Sequence, residues 1–420
     1  ISVSMEGDHD EHHYPPITPS LSSLRTSNPI RKIVDHLKVD PHPEKKMISL
    51  SIGDPTVFGN LRTPVEVEDA LVASIRSGEC NGYPHSWGYP KARLAVAERF
   101  STPHHRYTVD DVVLTSACSG ALEIAISVMG HEGDNMLVPE PGFPLYQTIM
   151  ENKGIEVRKY RLNPDKGWEI DLEHMASLMD AKTKAVCINN PSNPCGSNFS
   201  KAHLEAFLRV CAVRKVPCIS DEIYANMVFG EETFHPLADL KPSIPILTVG
   251  GLAKQYLVPG WRMGWVLIKD GKKPESMAPI RQALVAQSQI ILGSSSILQG
   301  ALPAIFNNVP ASFYQSLNAT LSENATFLFE RLSALPGLHP VQPQGAMYLM
   351  VRVDMSMMES AITSELVFVE RLIEEESVFL LPGSCFGAKD FVRLVTCPSR
   401  EVLEDACNRI ENFMNNHRKA

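Results

Sequence analysis

Lys254 and Arg262 lie eight residues apart in a glycine-rich stretch, Gly250 to Trp265, that reads GGLAKQYLVPGWRMGW. A short β-branched run from Ile246 to Val249 leads into it, and Pro259-Gly260 break it. It contains no acidic residue, and Ala253, Tyr256, Leu257 and Val258 surround the lysine in sequence. Apolar surroundings disfavour an ammonium, so Lys254 is expected to lose its proton readily. A neutral lysine amine attacks aldehydes, which is the first requirement of Schiff-base chemistry. Taken alone, the same stretch suits a surface lysine in a turn equally well.

Other residues suited to chemistry fall just after strand-like runs. Ala117-Cys118-Ser119-Gly120 separate such a run from an apolar helix. A helix N-terminus offers free N–H groups and partial positive charge to an anion, although an isolated Ser-Gly is more often an ordinary cap. Phe143, bracketed by Pro141 and Pro144, is a restrained aromatic able to stack on a flat ring or simply to pack. Asn189 to Gly196, NNPSNPCG, has the composition of a turn. Asp221 and Tyr224 follow the run Val216 to Ser220, and Glu222 points to the opposite side if the segment is extended. Arg393 sits inside a strand pattern, Phe391 to Leu394, where a buried cation needs an anionic partner such as a carboxylate.

An amine, a carboxylate for a pyridine nitrogen and a cradle for a phosphate are together what a pyridoxal phosphate (PLP) site requires. In the arrangement GGLAK…PGWRMGW, and in motif order from about Asn28 to the C-terminus, the chain resembles the aspartate aminotransferase superfamily. The resemblance implies PLP as cofactor, a homodimer and the PLP-dependent transferase fold of type I, an α/β fold. It implies Lys254 as the Schiff-base lysine and Asp221 as the partner of the pyridine nitrogen. The phosphate falls to the backbone of Ala117, Cys118 and Ser119 and to Arg262, and Phe143 stacks on the ring. Asn193 and Tyr224 then serve the phenolic oxygen. Arg393 takes the substrate α-carboxylate, with Asn193 and the Ile52-Gly53-Asp54-Pro55 loop beside it. Tyr83 reaches the phosphate across the dimer interface, and the segment opening at Asn28-Pro29 reaches toward the partner subunit. One departure stands out: Gly251 occupies a position where many relatives carry a serine that contacts the phosphate.

The elements that must position these groups follow from periodicity. From about 60 to 315 short β-branched runs alternate with helical periods, which predicts a mostly parallel sheet covered by helices. Strands are predicted at Asp111–Leu114, Asn135–Val138, Ile155–Tyr160, Ala185–Asn189, Val216–Ser220, Ile246–Val249 and Trp265–Ile268. The remainder, 316–420 together with 46–59, reads as a small α+β domain, and 1–45 as an N-terminal arm. At 420 residues two domains are expected. A net charge of -9 argues against nucleic-acid binding as the main business, and no apolar run is long enough to span a membrane as a helix. Nine scattered cysteines without a CxxC pair suit reduced thiols, so the cytoplasm or another reducing compartment is expected. His9, His12 and His13 read as a solvated cluster, and no metal is expected.

The predicted activity is transamination between an amino acid and a 2-oxo acid, with ping-pong kinetics. An aromatic substrate is expected, tyrosine first: the resemblance implies that aspartate-specific relatives pair the distal carboxylate with a second arginine from the partner subunit, before the helix near Ile297, and here Gln282 through Glu330 contains no lysine or arginine. Ile290, Ile291 and Leu292 stand in that stretch instead. The rivals are an alanine- or kynurenine-type aminotransferase and a PLP-dependent lyase, since fold alone does not fix function.

Overall fold

The computed structural model describes residues 16–271 and 276–419, so His9, His12 and His13 lie outside the described residues. Among those described, the strands are β1 (Ile48–Ser49), β2 (Val112–Ser116), β3 (Asn135–Glu140), β4 (Glu156–Asn163), β5 (Glu169–Ile170), β6 (Thr183–Asn189), β7 (Cys218–Asp221), β8 (Ile246–Gly251) and β9 (Met263–Lys269). They continue with β10 (Leu338–Pro340), β11 (Tyr348–Val353), β12 (Val378–Phe379), β13 (Leu381–Pro382) and β14 (Phe391–Val395). All seven strand runs read from the sequence between 60 and 315 are present, with ends shifted by a few residues.

Eight strands form one sheet in the order β2-β9-β8-β7-β6-β3-β4-β5. The neighbours from β8 through β7, β6 and β3 to β4 are parallel. Strand β9 runs antiparallel to both β8 and β2, and β5 runs antiparallel to β4. The strands are apolar on both faces because helices cover both. Leu247 and Val249 of β8 join the core beneath helix Ala117–Met129, whereas Ile246 joins the core beneath helix Lys201–Arg214. The same alternation sends Val266 and Ile268 of β9 to one face and Trp265 and Leu267 to the other.

A second, antiparallel sheet has the order β10-β11-β14-β13, and β1 pairs in parallel with β12. Residues near 48 therefore join the C-terminal third of the chain. A long helix runs from Ala311 to Ser333. Helix Val65–Ser77 and helix Pro90–Phe100 were not read from the sequence.

The described part of the N-terminal arm makes contacts with its own chain. The run opening at Asn28 is a helix over Pro29–Val34. Asn28 caps it by accepting from the Ile30 N–H at 3.0 Å. Ile30, Ile33 and Val34 pack on Leu381, Cys385 and Phe386 of the same chain. Earlier in the arm, Arg25 pairs with Glu132 at 2.7 Å. The described part of the arm thus lies along its own chain, because one apolar turn finds its partner there.

Candidate active site

Register places the chemistry. Asn189 of β6 lies opposite Asp221 of β7, which in turn lies opposite Val249 of β8. These parallel strands end side by side, so their following loops bring Asn193, Tyr224 and Lys254 to one edge. Across antiparallel β9, strand β2 runs in the same sense as β8 and delivers Ala117 to that edge. Arg262 precedes β9 there as well. Ligands in open α/β sheets sit beyond the carboxyl ends of the strands. Here the edge borders a cavity of about 340 Å³.

One wall of the cavity is an anion cradle. Ala117 and Arg262 both adopt left-handed backbone conformations, with φ of 61° and 58°. Such conformations cost non-glycine residues on the order of 1 kcal/mol or more and persist where surrounding bonds enforce them. The Ala117 N–H donates to the Arg262 carbonyl at 3.0 Å, and Thr115 Oγ1 donates to the Ala117 carbonyl at 2.9 Å. Arg262 Nη2 then reaches Ser119 Oγ at 2.8 Å, which sets a cation beside the first turn of helix Ala117–Met129. The backbone of β8 and β9 presses directly against this turn. A Cβ on Gly251 would lie 2.7 Å from the Met263 carbonyl oxygen and 3.4 Å from the Cys118 nitrogen. A Cβ on Gly264 would overlap the Ala117 carbonyl. A serine at position 251 has no room, which is the physical reason for that departure.

Asp221 forms the floor and is buried. Its Oδ2 accepts from Tyr146 Oη at 2.7 Å, and its Oδ1 accepts from the Ile223 N–H at 3.2 Å and the Cys118 thiol at 3.6 Å. Burial pushes the carboxyl above its ordinary range, while these donors and the nearby Lys254 charge pull it back. Glu222 does turn away. Its Oε1 accepts from Ser220 Oγ at 2.9 Å and the Leu237 N–H at 3.0 Å, and it borders a separate cavity of about 200 Å³. By area Glu222 is half-buried because of that cavity, yet its carboxyl is deep in protein, and burial pushes it up to about 7.

Lys254 is not in the apolar setting its sequence neighbours suggested. Tyr256, Leu257 and Val258 turn into the core, and the lysine is half-buried at the cavity. Its Nζ donates to the Gly53 carbonyl at 2.5 Å and lies 5.9 Å from the centre of the Tyr224 ring. The opposite wall carries Arg393, 3% exposed and without a carboxylate partner among the described residues. Its Nη1 donates to Asn193 Oδ1 at 2.9 Å and its Nη2 to the Ser51 carbonyl at 2.5 Å, while Nε has no partner. The guanidinium lies between the rings of Tyr348 and Phe386, at 4.4 and 4.7 Å. A buried cation with an unsatisfied donor is a site for an anion.

Of the residues singled out in the sequence, Gly53, Ala117, Cys118, Ser119, Phe143, Asn193, Asp221, Tyr224, Lys254, Arg262 and Arg393 all line this cavity. Tyr83 does not; it is 92% exposed. Ile290, Ile291 and Leu292 are also exposed and do not reach this chain's own cavity. Sequence reasoning missed Tyr146 and Tyr348. Every residue of β11 except Arg352 is buried, so no alternation marks Tyr348 as different from Leu349 or Met350. It also missed Ile30, which the arm contributes to the cavity wall.

A family model for aminotransferase class I and II matches residues 45–410. The chain belongs to this family. The aminotransferase is 48% identical over 401 residues to tyrosine aminotransferase of Mus musculus, covering 96% of this chain and 88% of that protein. It is 44% identical over 403 residues to tyrosine aminotransferase of Dictyostelium discoideum, covering 95% and 96%. Among solved structures it is similar to tyrosine aminotransferase from Leishmania infantum, with a TM-score of 0.91 and 36% identity over 97% of this chain and all of that one. The enzyme is therefore a PLP-dependent aminotransferase of α/β fold. The cavity fits that cofactor: an anion cradle at one wall, a buried carboxylate on the floor, and a lysine amine between them.

Proposed function

We propose that the enzyme transaminates aromatic L-amino acids, tyrosine first, with a 2-oxo acid as acceptor. The observation that carries this reading is the supply of cations around the cavity. Among its lining residues the cations are Lys254, Arg262 and Arg393. Arg262 belongs to the cradle and Arg393 suits the α-carboxylate, so no further cation is left for a distal carboxylate. Asp54 would repel one, and Ile30 and Ile52 offer apolar surface instead. The similarity to tyrosine aminotransferases agrees with this choice.

When bound, PLP supplies an aldehyde that amines can join and a ring that withdraws electrons from the substrate Cα. Lys254 would be the amine that holds it. With cofactor and substrate bound, the Lys254 amine would take and return the proton at the substrate Cα. Asp221 holds a proton on the ring nitrogen, and its bond to Tyr146 fixes the carboxylate in place. Ser119, Arg262 and the first-turn N–H groups of Cys118 and Ser119 take the phosphate, whereas the Ala117 N–H is already spent on the Arg262 carbonyl, and Phe143 covers the ring. Tyr224 and the Asn193 amide donate to the phenolic oxygen. Arg393 clamps the α-carboxylate, and Gly53 brings its loop close enough to cover it.

The functional unit in this reading is a homodimer in which Tyr83 serves the neighbouring site. Its support is an exposed apolar group, Ile290, Ile291 and Leu292, at 73%, 60% and 61% exposure. Ser288 Oγ bonds Ser86 Oγ at 3.0 Å, which ties that loop to the one bearing Tyr83. Residues 46–59 and 316–420 act as the smaller domain and 60–315 as the larger. No helix among the described residues is long and apolar enough to cross a membrane. The unpaired state of all nine cysteines supports a reducing compartment such as the cytoplasm.

The test compares kcat/KM for tyrosine and aspartate with one common acceptor, alongside borohydride trapping of the cofactor and peptide mapping. Tyrosine should exceed aspartate by at least about tenfold, the scale set by leaving a buried carboxylate unpaired. The trapped label should map to Lys254. Aspartate matching tyrosine would overturn the specificity, and a label on another lysine would overturn the site.

A further inference from the structure

Tyr348 lies where four parts of the cavity meet. On β11 it is two residues from Met350, which pairs with Arg393 on β14, so Tyr348 and Arg393 share a face of the small sheet. Its ring accordingly lies 4.4 Å under the Arg393 guanidinium. Its hydroxyl extends beyond that ring to the Tyr224 hydroxyl, at 2.7 Å, with the two rings edge-to-face at 5.7 Å. That is the sole hydrogen bond of either hydroxyl among the described residues. A Cβ on Gly53 would overlap the Tyr348 hydroxyl, so the backbone of that loop packs directly on it. The Gly53 carbonyl in turn receives Lys254.

Proton count gives the bond a direction. Each phenol has one O–H to donate. Burial, and then the adjacent Tyr348 hydroxyl, push the Tyr224 phenol well above its ordinary value, so Tyr224 keeps its proton and remains a donor. Tyr224 is also placed to donate to the phenolic oxygen of PLP, under the functional reading above. It cannot donate to both oxygens. Tyr348 must then be the donor to Tyr224.

We infer that Tyr348 is a positioning residue for the transamination site: its hydroxyl donates to Tyr224 and thereby strengthens and aims Tyr224 as a donor to the cofactor's phenolic oxygen. A hydroxyl that accepts a hydrogen bond becomes a stronger donor, and buried chains of such bonds reinforce one another. A donor that engages the phenolic oxygen takes up charge that would otherwise hold the proton on the nearby nitrogen, so that nitrogen loses its proton more readily. Besides the two phenols, the charged groups facing this point are Lys254, Asp221 and Arg393. None of them is altered by removing one hydroxyl from Tyr348. The inference rests on the proposed function and assigns a role to a residue outside the set that carries it.

The test is the pH titration of the bound cofactor's absorption in the holoenzyme. In Tyr348→Phe, which keeps the ring on Arg393, the absorption midpoint should rise by roughly half to one pH unit, the scale of one hydrogen bond. Tyr224→Phe should shift it further, and the double variant should match Tyr224→Phe alone, because Tyr348 acts through Tyr224. Gly53→Ala, which crowds the Tyr348 hydroxyl, should raise the midpoint in the parent and much less in the Tyr348→Phe background. A Tyr348→Phe enzyme that titrates like the parent, or two phenol variants whose shifts add fully, would overturn this inference alone. A parent protein that takes up no cofactor would overturn the functional reading and this inference with it.

Discussion

The two walls of the cavity are built in different ways. The anion cradle comes from β2, β8 and β9, adjacent strands of one sheet, and its parts are fixed by backbone: two left-handed residues, two glycines that admit no side chain, and the first turn of a helix. The substrate wall comes from Ser51 and Gly53, Asn193, Tyr348 and Arg393, which span both sheets and are joined by side chains. A wall made of paired backbone is stiff. A wall made of side chains from distant segments can be altered one contact at a time, and it can change when the segments shift. In the function proposed above, the chemistry of the cofactor falls to the first and recognition of the substrate to the second.

That contrast can be broken in graded ways. The largest effect is expected from Arg393→Lys, because an ammonium cannot reach Asn193, Ser51 and a carboxylate with the same fork of donors. The KM for the amino acid should rise by about 10- to 100-fold, on the scale of a charged hydrogen bond, with cofactor affinity unchanged. Steady-state kinetics and a separate cofactor titration measure the two halves; loss of cofactor binding would show that the walls are not independent.

A smaller and opposite effect is expected from Gly251→Ser. Forcing a side chain against the Met263 carbonyl should strain the cradle by about 1–3 kcal/mol. Cofactor affinity should fall by roughly tenfold or more, and the apo-enzyme should lose thermal stability, while the KM for amino acid in saturating cofactor stays within about twofold. Tighter cofactor binding by this variant would mean that position 251 can accept the phosphate-contacting serine of relatives after all.

Least of all should turnover respond to Glu222→Gln, one residue from Asp221 but facing the other cavity beside Arg99, His105, Tyr107 and Asp239. Its effect belongs to stability. Burial raises the folded carboxyl from 4.5 to about 7, so the folded chain holds that proton more tightly than the unfolded one. The stability it contributes is full below about pH 4.5 and falls by up to roughly 3 kcal/mol as pH rises to about 7. Glu222→Gln should flatten that part of the profile and be more stable than the parent at pH 8, as read by denaturant melts. A parallel loss of kcat would tie Glu222 to the chemistry and blur the boundary drawn at Asp221.

The amino-acid sequence by itself determined the strands of the large sheet, the loops that follow them and the identity of most groups around the cavity. Apolar runs bounded by turn residues are local signals, and the functional group that a lysine, an aspartate or an arginine carries is given by its type alone. It also determined that position 251 is glycine, without the reason. Only the tertiary structure decided the reason, which is the Met263 carbonyl pressing from the neighbouring strand. It alone brought Tyr146 to Asp221 and Tyr348 to Tyr224, because a phenol bonds at the far end of a packed ring and its reach depends on how whole elements dock. It moved Tyr256, Leu257 and Val258 away from Lys254 and put the Gly53 carbonyl there instead. Sequence neighbours of a turn point in different directions, and what surrounds a side chain is set by whichever distant segments the fold brings against it.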